Sequence, residues 1–215
     1  MKLKISVILI LTGLLFSSCT FWGVRGNGKI KSESRSVKEF YRIDAAGAYT
    51  IKVRVGETQS IRIKAEENLL PLIRTFVKGN TLVIENKKNL SPRKELLIEI
   101  TTMELSSIEC SGANDIEVYG IDSDKFQIEL SGAGSIELEG TTDQFYADLS
   151  GAGSIDARLL IARKVFISVS GAASANVHAK EYLDASVSGV GSIDYYGDPK
   201  NTKTDVSGVG SISRK

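Results

Sequence analysis

The sequence predicts an all-β protein built as a solenoid with rungs of about 19 residues. Three observations predict it: a six-fold repeat in the second half, period-two alternation inside each repeat, and one corner motif recurring at the same place. The corners begin at Ser111, Ser131, Ser150, Ser170, Ser188 and Ser207, with steps of 20, 19, 20, 18 and 19 residues. Repeats of such regularity stack, because one unit alone cannot bury its apolar face.

The chain opens with an address. Lys2 and Lys4 precede the apolar run Ile5–Phe16, which ends in Ser17-Ser18-Cys19. A basic start, a short apolar stretch and small residues before a cut site make a secretory signal peptide over residues 1–18. The run is too short for a bilayer span, which takes about 20 apolar residues. Phe16-Ser17-Ser18-Cys19 resembles a bacterial lipobox, with Phe16 where Leu is usual, so Cys19 is the candidate lipidation site. Plain secretion with a free Cys19 is the alternative. Residues 19–36 are polar with scattered Gly and read as the lipidated Cys followed by a flexible tether.

Residues 37–215 read as one β-helix domain. Its first part, 37–105, alternates less regularly at Phe40–Ile43, Tyr49–Val55, Ser60–Ala65, Thr81–Glu85 and Glu95–Ile100. Gly56 and Lys78-Gly79-Asn80 supply turns, and Pro71 limits Glu66–Ile73 to one helical turn. Ala46-Gly47-Ala48-Tyr49-Thr50-Ile51 resembles a decayed corner. These irregular coils are expected to cover the N-terminal end, since an open rung exposes core and strand edges.

Residues 106–215 carry the repeats. Phe126, Ile128, Leu130, Ile136 and Leu138 alternate with Gln127, Glu129, Glu137 and Glu139, as half-buried strands require. An antiparallel meander would also space short strands this way, but the recurring S-G-x-x-S corner favours a solenoid. Gly follows the first Ser in all six corners. Two positions on stand Asn114, Gly134, Gly153, Ala173, Gly191 and Gly210, residues that suggest a left-handed turn position. Between them only Ala or Val occurs, small enough for a narrow bend. Cys110 shares a column with Leu130, Leu149 and Val169, and is expected inside as a small hydrophobe.

Composition narrows the function. With 27 Lys+Arg against 26 Asp+Glu there is no charge footprint for nucleic acid. A single His argues against a His-based metal site or a Ser-His-Asp triad, and two Cys cannot staple a disulfide scaffold. Two outward columns are acidic: Glu109, Glu129 and Asp148 before the corner, and Glu117, Glu137, Asp156 and Asp194 after it. Carboxylates on neighbouring rungs, about 4.8 Å apart, repel unless water or a cation intervenes. Glu129, Glu137, Asp148 and Asp156 are therefore the candidate Ca²⁺ ladder, with a solvated acidic face as the plainer reading and no other cofactor expected. A mixed column of Tyr119, Glu139, Arg158, His178 and Tyr196 is a second candidate ligand site. At the last coil Lys203, Arg214 and Lys215 discourage edge pairing by charge, so a monomer or weak dimer is expected.

The leader, Gly26-Asn27-Gly28, Arg35–Phe40, Glu66-Glu67-Asn68-Leu69-Leu70-Pro71 and the S-G-A-G-S-I repeats together resemble a bacterial family. That family is known as auto-transporter adhesin, head GIN domain, and is common in Bacteroidetes. The resemblance implies a right-handed parallel β-helix and an adhesin-like role, and brings no catalytic residues with it. The expected function is a non-catalytic, lipid-anchored binding or structural protein of the cell envelope. It would sit at the outer membrane, facing the periplasm or the surface, with an unknown envelope, glycan or protein ligand. The alternative is a carbohydrate-active enzyme on a β-helix scaffold. Rungs of nearly constant length leave little room for an active-site loop, which argues against it.

Overall fold

The computed structural model describes residues 23–56 and 58–215, so the leader 1–18 and the lipidation candidate Cys19 lie outside it. In the first half, alternating residues form β1 (Val24–Arg25), β2 (Ile30–Arg35), β3 (Arg42–Gly47), β4 (Thr50–Val55) and β5 (Ser60–Glu66). A single 3₁₀ turn at Leu70–Leu72, with Pro71 inside it, leads to β6 (Ile73–Lys78). Then come β7 (Thr81–Asn86), β8 (Leu90–Ser91) and β9 (Leu97–Thr102). The repeats form β10 (Ser107–Leu130), β11 (Ala133–Leu149), β12 (Ala152–Val169) and β13 (Ser174–Val187). Three shorter strands, β14 (Ser192–Tyr196), β15 (Asn201–Val206) and β16 (Ser211–Arg214), complete the stack.

The repeat strands stack in parallel, β10 on β11, β11 on β12 and β12 on β13, with β14 and β15 both on β13 and β16 on β14, giving a β-solenoid of about five turns. Equivalent residues lie in register, so period-two alternation becomes continuous interior columns. One runs Ile98, Ile51, Ile116, Ile136, Ile155, Ala175, Ile193 and Ile212. Another places buried Cys110 beneath Leu130, Leu149, Val169 and Val187, with Phe126 and Phe145 stacked at 6.2 Å further along the rung. Burial of the Cys110 thiol, with Asp44 and Glu109 nearby, pushes its pKa up to about 12, which suits packing and not nucleophilic attack. The decayed corner joins the stack, with Ala46 and Gly47 in register with Ser111 and Gly112.

The corners differ from the sequence expectation. Of the column Asn114, Gly134, Gly153, Ala173, Gly191 and Gly210, only Gly134 has positive φ. The Gly requirement comes from the approach of neighbouring rungs. A Cβ on Gly132 would stand 2.0 Å from the Gly112 carbonyl oxygen, one on Gly151 1.8 Å from that of Gly132, and one on Gly171 1.9 Å from that of Gly151. The Ala/Val column points outward, with Val190 65% and Val209 80% exposed, so bend width does not limit it.

The N-terminal end is a mixed cap. Strands β3, β4, β7 and β9 continue the parallel ladder, while β2, β5 and β6 pair antiparallel and close it. The expected tether is partly built into this cap: β2 pairs with β5, and β1 pairs with β8. No helix among the described residues is long and apolar enough to cross a membrane.

Candidate functional site

The strand segments leading into each corner present three outward columns. Lys125, Gln144, Lys164 and Tyr182 form the first; Gln127, Tyr146, Phe166 and Asp184 the second; Glu129, Asp148, Ser168 and Ser186 the third. In the middle, Tyr146 and Phe166 stack with centroids 4.7 Å apart and planes 9° apart, and Tyr182 tilts against Phe166 at 5.5 Å. The Lys125 ammonium sits 4.5 Å from the Tyr146 centroid. All three aromatic residues are half-buried. The Tyr146 hydroxyl donates to Gln144 Oε1 at 2.9 Å, fixing the ring. This cluster lies on the polar phase of the alternation, where sequence reasoning did not look for it. Its signal was an aromatic immediately after the inward Phe145 and Val165 in two successive rungs.

Beside it, where the chain turns between rung faces, lies an open groove of about 1050 Å³. Tyr41 and Arg42 border it at one end, and Asp122, Asp124, Asp143 and Arg163 further along. Arg163 is a bracket between rungs: Nη2 donates to Asp143 Oδ2 at 2.8 Å and Nη1 to Glu181 Oε2 at 3.0 Å. That guanidinium holds the Asp143 carboxyl below its usual range. Ser123 and Thr142 set their hydroxyls 3.4 Å apart. The groove offers donors and acceptors at rung spacing, an arrangement suited to a polar chain lying across several rungs.

The four residues of the candidate cation ladder fall into two pairs on either side of the corner. Glu129 is in register with Asp148, and Glu137 with Asp156. Among the described residues no group of three or more His, Cys, Asp or Glu side chains is placed to hold a metal ion. In the column after the corner, Glu117, Asp156 and Asp194 are each paired with a cation of the same chain, and Glu137 has no ion pair among the described residues. Lys52 Nζ donates to both Glu117 oxygens at 2.9 and 3.0 Å, Arg158 Nε to Asp156 Oδ1 at 2.8 Å, and Lys215 lies 3.3 Å from Asp194. Arg158 accordingly holds the Asp156 carboxyl below its usual range, and Lys52 does the same for Glu117. The column before the corner has no such partners among the described residues. Burial, then Asp44 and Glu129, raise the pKa of Glu109, and burial, then Glu85, raise that of Asp44.

The mixed column assembles only in part. Register shifts at Val118/Ile121, Glu137/Glu139 and Ala157/Ile161 put Glu139 opposite Leu159 and His178 opposite Ile161. His178 and Tyr196 remain in register, with His178 Nδ1 3.3 Å from the Arg158 carbonyl oxygen and the Arg158 side chain beside Tyr196. Tyr119 instead donates to Glu117 Oε2 at 3.0 Å.

Residues 39–199 match the family model described as "Putative auto-transporter adhesin, head GIN domain". The chain belongs to that family. Its structure is similar to that of a "putative adhesin" from Bacteroides fragilis NCTC 9343, at 30% identity and a TM-score of 0.75. That likeness covers 90% of this chain and 100% of the other. A "putative lipid binding protein" from Parabacteroides distasonis ATCC 8503 is similar at 22% identity and a TM-score of 0.51, covering 89% of this chain and 99% of that one, which speaks to the fold alone. No curated protein matches the chain.

Proposed function

We propose that the protein is a lipid-anchored, adhesin-like binding module of the bacterial cell envelope, without a catalytic role. The observation that carries this reading is the end-to-end likeness to the Bacteroides fragilis structure at 30% identity, within an adhesin family. The anchor is Cys19, on the strength of the Phe16-Ser17-Ser18-Cys19 tetrad, at the outer membrane and facing the periplasm or the surface. The groove around Arg163 is the binding surface, and its ligand is a polar polymer such as an envelope or host glycan.

The test uses the soluble mature chain against a panel of polysaccharides, with binding and release of reducing ends followed together. Binding without release, weakened by Arg163→Ala, is the expected result. Turnover of any polymer would overturn the non-catalytic reading in favour of a carbohydrate-active enzyme.

A further inference from the structure

The near-zero net charge conceals a strong asymmetry along the solenoid. Residues 23–105 hold sixteen Lys and Arg against ten Asp and Glu, whereas residues 106–215 hold nine against sixteen. The excess of positive charge is concentrated at the cap. The segment Lys87-Lys88-Asn89-Leu90-Ser91-Pro92-Arg93-Lys94 carries four cations and no acid. Its strand β8 pairs with β1, which brings Arg25 alongside, and the Glu66 carboxylate ties Gly28, next to Lys29, to Arg93.

This arrangement is fixed by hydrogen bonds. The Gly26 N–H donates to the Ser91 carbonyl at 3.1 Å. The Glu66 carboxylate, only 1% exposed, accepts the N–H of Gly28 at 2.5 Å and that of Arg93 at 2.8 Å. Asn68 Nδ2 donates to the Arg25 carbonyl at 2.8 Å. Arg25, Lys29, Lys87, Lys88, Arg93 and Lys94 are all exposed, and none forms an ion pair with a carboxylate among the described residues. Nearby Glu67 is taken by Lys31.

We infer that this basic cap face docks on anionic phospholipid headgroups, so that the solenoid stands cap-down on the bilayer. The inference rests on the Cys19 anchor of the proposed function. Four residue steps separate Cys19 from Gly23, the first described residue, and at most about 3.6 Å per residue they reach no further than roughly 14 Å. A lipid on Cys19 therefore holds the cap within reach of the surface it is charged to meet. Clustered Lys and Arg strengthen attachment to anionic leaflets, and a basic patch supplements an acyl anchor. The net-negative repeats are repelled by the same surface, which points them, with the groove, away from the bilayer.

The test is co-sedimentation of the mature chain, residues 20–215 without lipid, which contains every described element. The vesicles are phosphatidylcholine alone or with about a third phosphatidylglycerol. Binding to the anionic vesicles only, abolished by high salt, is expected. K87Q/K88Q/R93Q/K94Q should weaken it by about tenfold or more, while K164Q/K200Q/K203Q/K215Q leaves it intact. Melting midpoints establish that both variants are folded. Equal binding to neutral vesicles, no binding to either, or equal loss in both variants would overturn the orientation. The assay involves no acyl chain, so these results leave the anchor reading standing. An unmodified Cys19 on the purified native protein would overturn the anchor itself.

Discussion

Replacing Gly151 by Ala adds one methyl group, and the stacking geometry makes it a severe change. The new Cβ would lie 1.8 Å from the Gly132 carbonyl oxygen and 2.8 Å from its carbon. Gly151 does not have positive φ, so the strain is one of contact. Relief requires the two rungs to separate by about 1 Å or more, because overlapping cores cannot compress. That separation stretches the hydrogen bond from Ala152 N to Gly132 O, now 2.9 Å, and strains the one from Ala172 N to Gly151 O at 3.1 Å. Overpacking costs about 1–3 kcal/mol and a lost hydrogen bond about 0.5–1.5 kcal/mol, so the sum is roughly 2–4 kcal/mol. The neighbouring Ala152→Val adds more atoms but points outward, in a column that already holds Val190 and Val209, and should stay within about 0.5 kcal/mol. Urea denaturation followed by circular dichroism measures both. A Gly151→Ala midpoint equal to wild type, or equal losses in the two variants, would refute the account of the corner.

Three further outcomes follow from the packing and charge. Ile136→Ala, at a position 1% exposed, should cost about 2–5 kcal/mol, and Glu137→Ala less than about 0.5 kcal/mol, in the same denaturation assay. Glu109→Gln should stabilise the protein by roughly 0.2–1 kcal/mol at neutral pH by relieving the Asp44–Glu109–Glu129 column. Because the folded-state pKa of Glu109 is raised, its ionisation destabilises as pH rises through the carboxylate range, and the gain should vanish below that range. Millimolar Ca²⁺ should leave the melting midpoint of wild type unchanged, since Lys52, Arg158 and Lys215 already hold Glu117, Asp156 and Asp194, and among the described residues no three carboxylates converge on one point. A rise that disappears in Glu129→Gln with Asp148→Asn would show a cation site before it.

The interior was legible because a single rule governs it. Side-chain period two and a nearly constant rung length alone place Ile136 over Ile116 and Leu149 over Leu130. The corner glycines were equally visible as columns, yet their cause was misassigned. Sequence shows that Gly recurs, but not how closely the Gly132 and Gly151 backbones approach. The mixed column loses its Glu139 end for a related reason: bulges absorb the variation between 18 and 20 residues, and one inserted residue moves Glu139 from Arg158 to Leu159. In the cap, alternation at Ser60–Ala65 is the same whether a strand pairs parallel or antiparallel, so the antiparallel closure left no mark. The basic face was hidden because Arg25 and Lys29 meet Lys87–Lys94 only after β1 finds β8 and Glu66 joins Gly28 to Arg93.

The anchor is tested most directly by the mass of the N-terminus of the protein purified from its own membranes. The account predicts a chain beginning at Cys19, residues 1–18 removed, with added mass from acyl chains on the cysteine. It also predicts that Cys19→Ala abolishes that mass and leaves the protein unprocessed or released from the membrane. An intact leader, an unmodified Cys19, or a processed Cys19→Ala protein still held at the membrane would contradict the account.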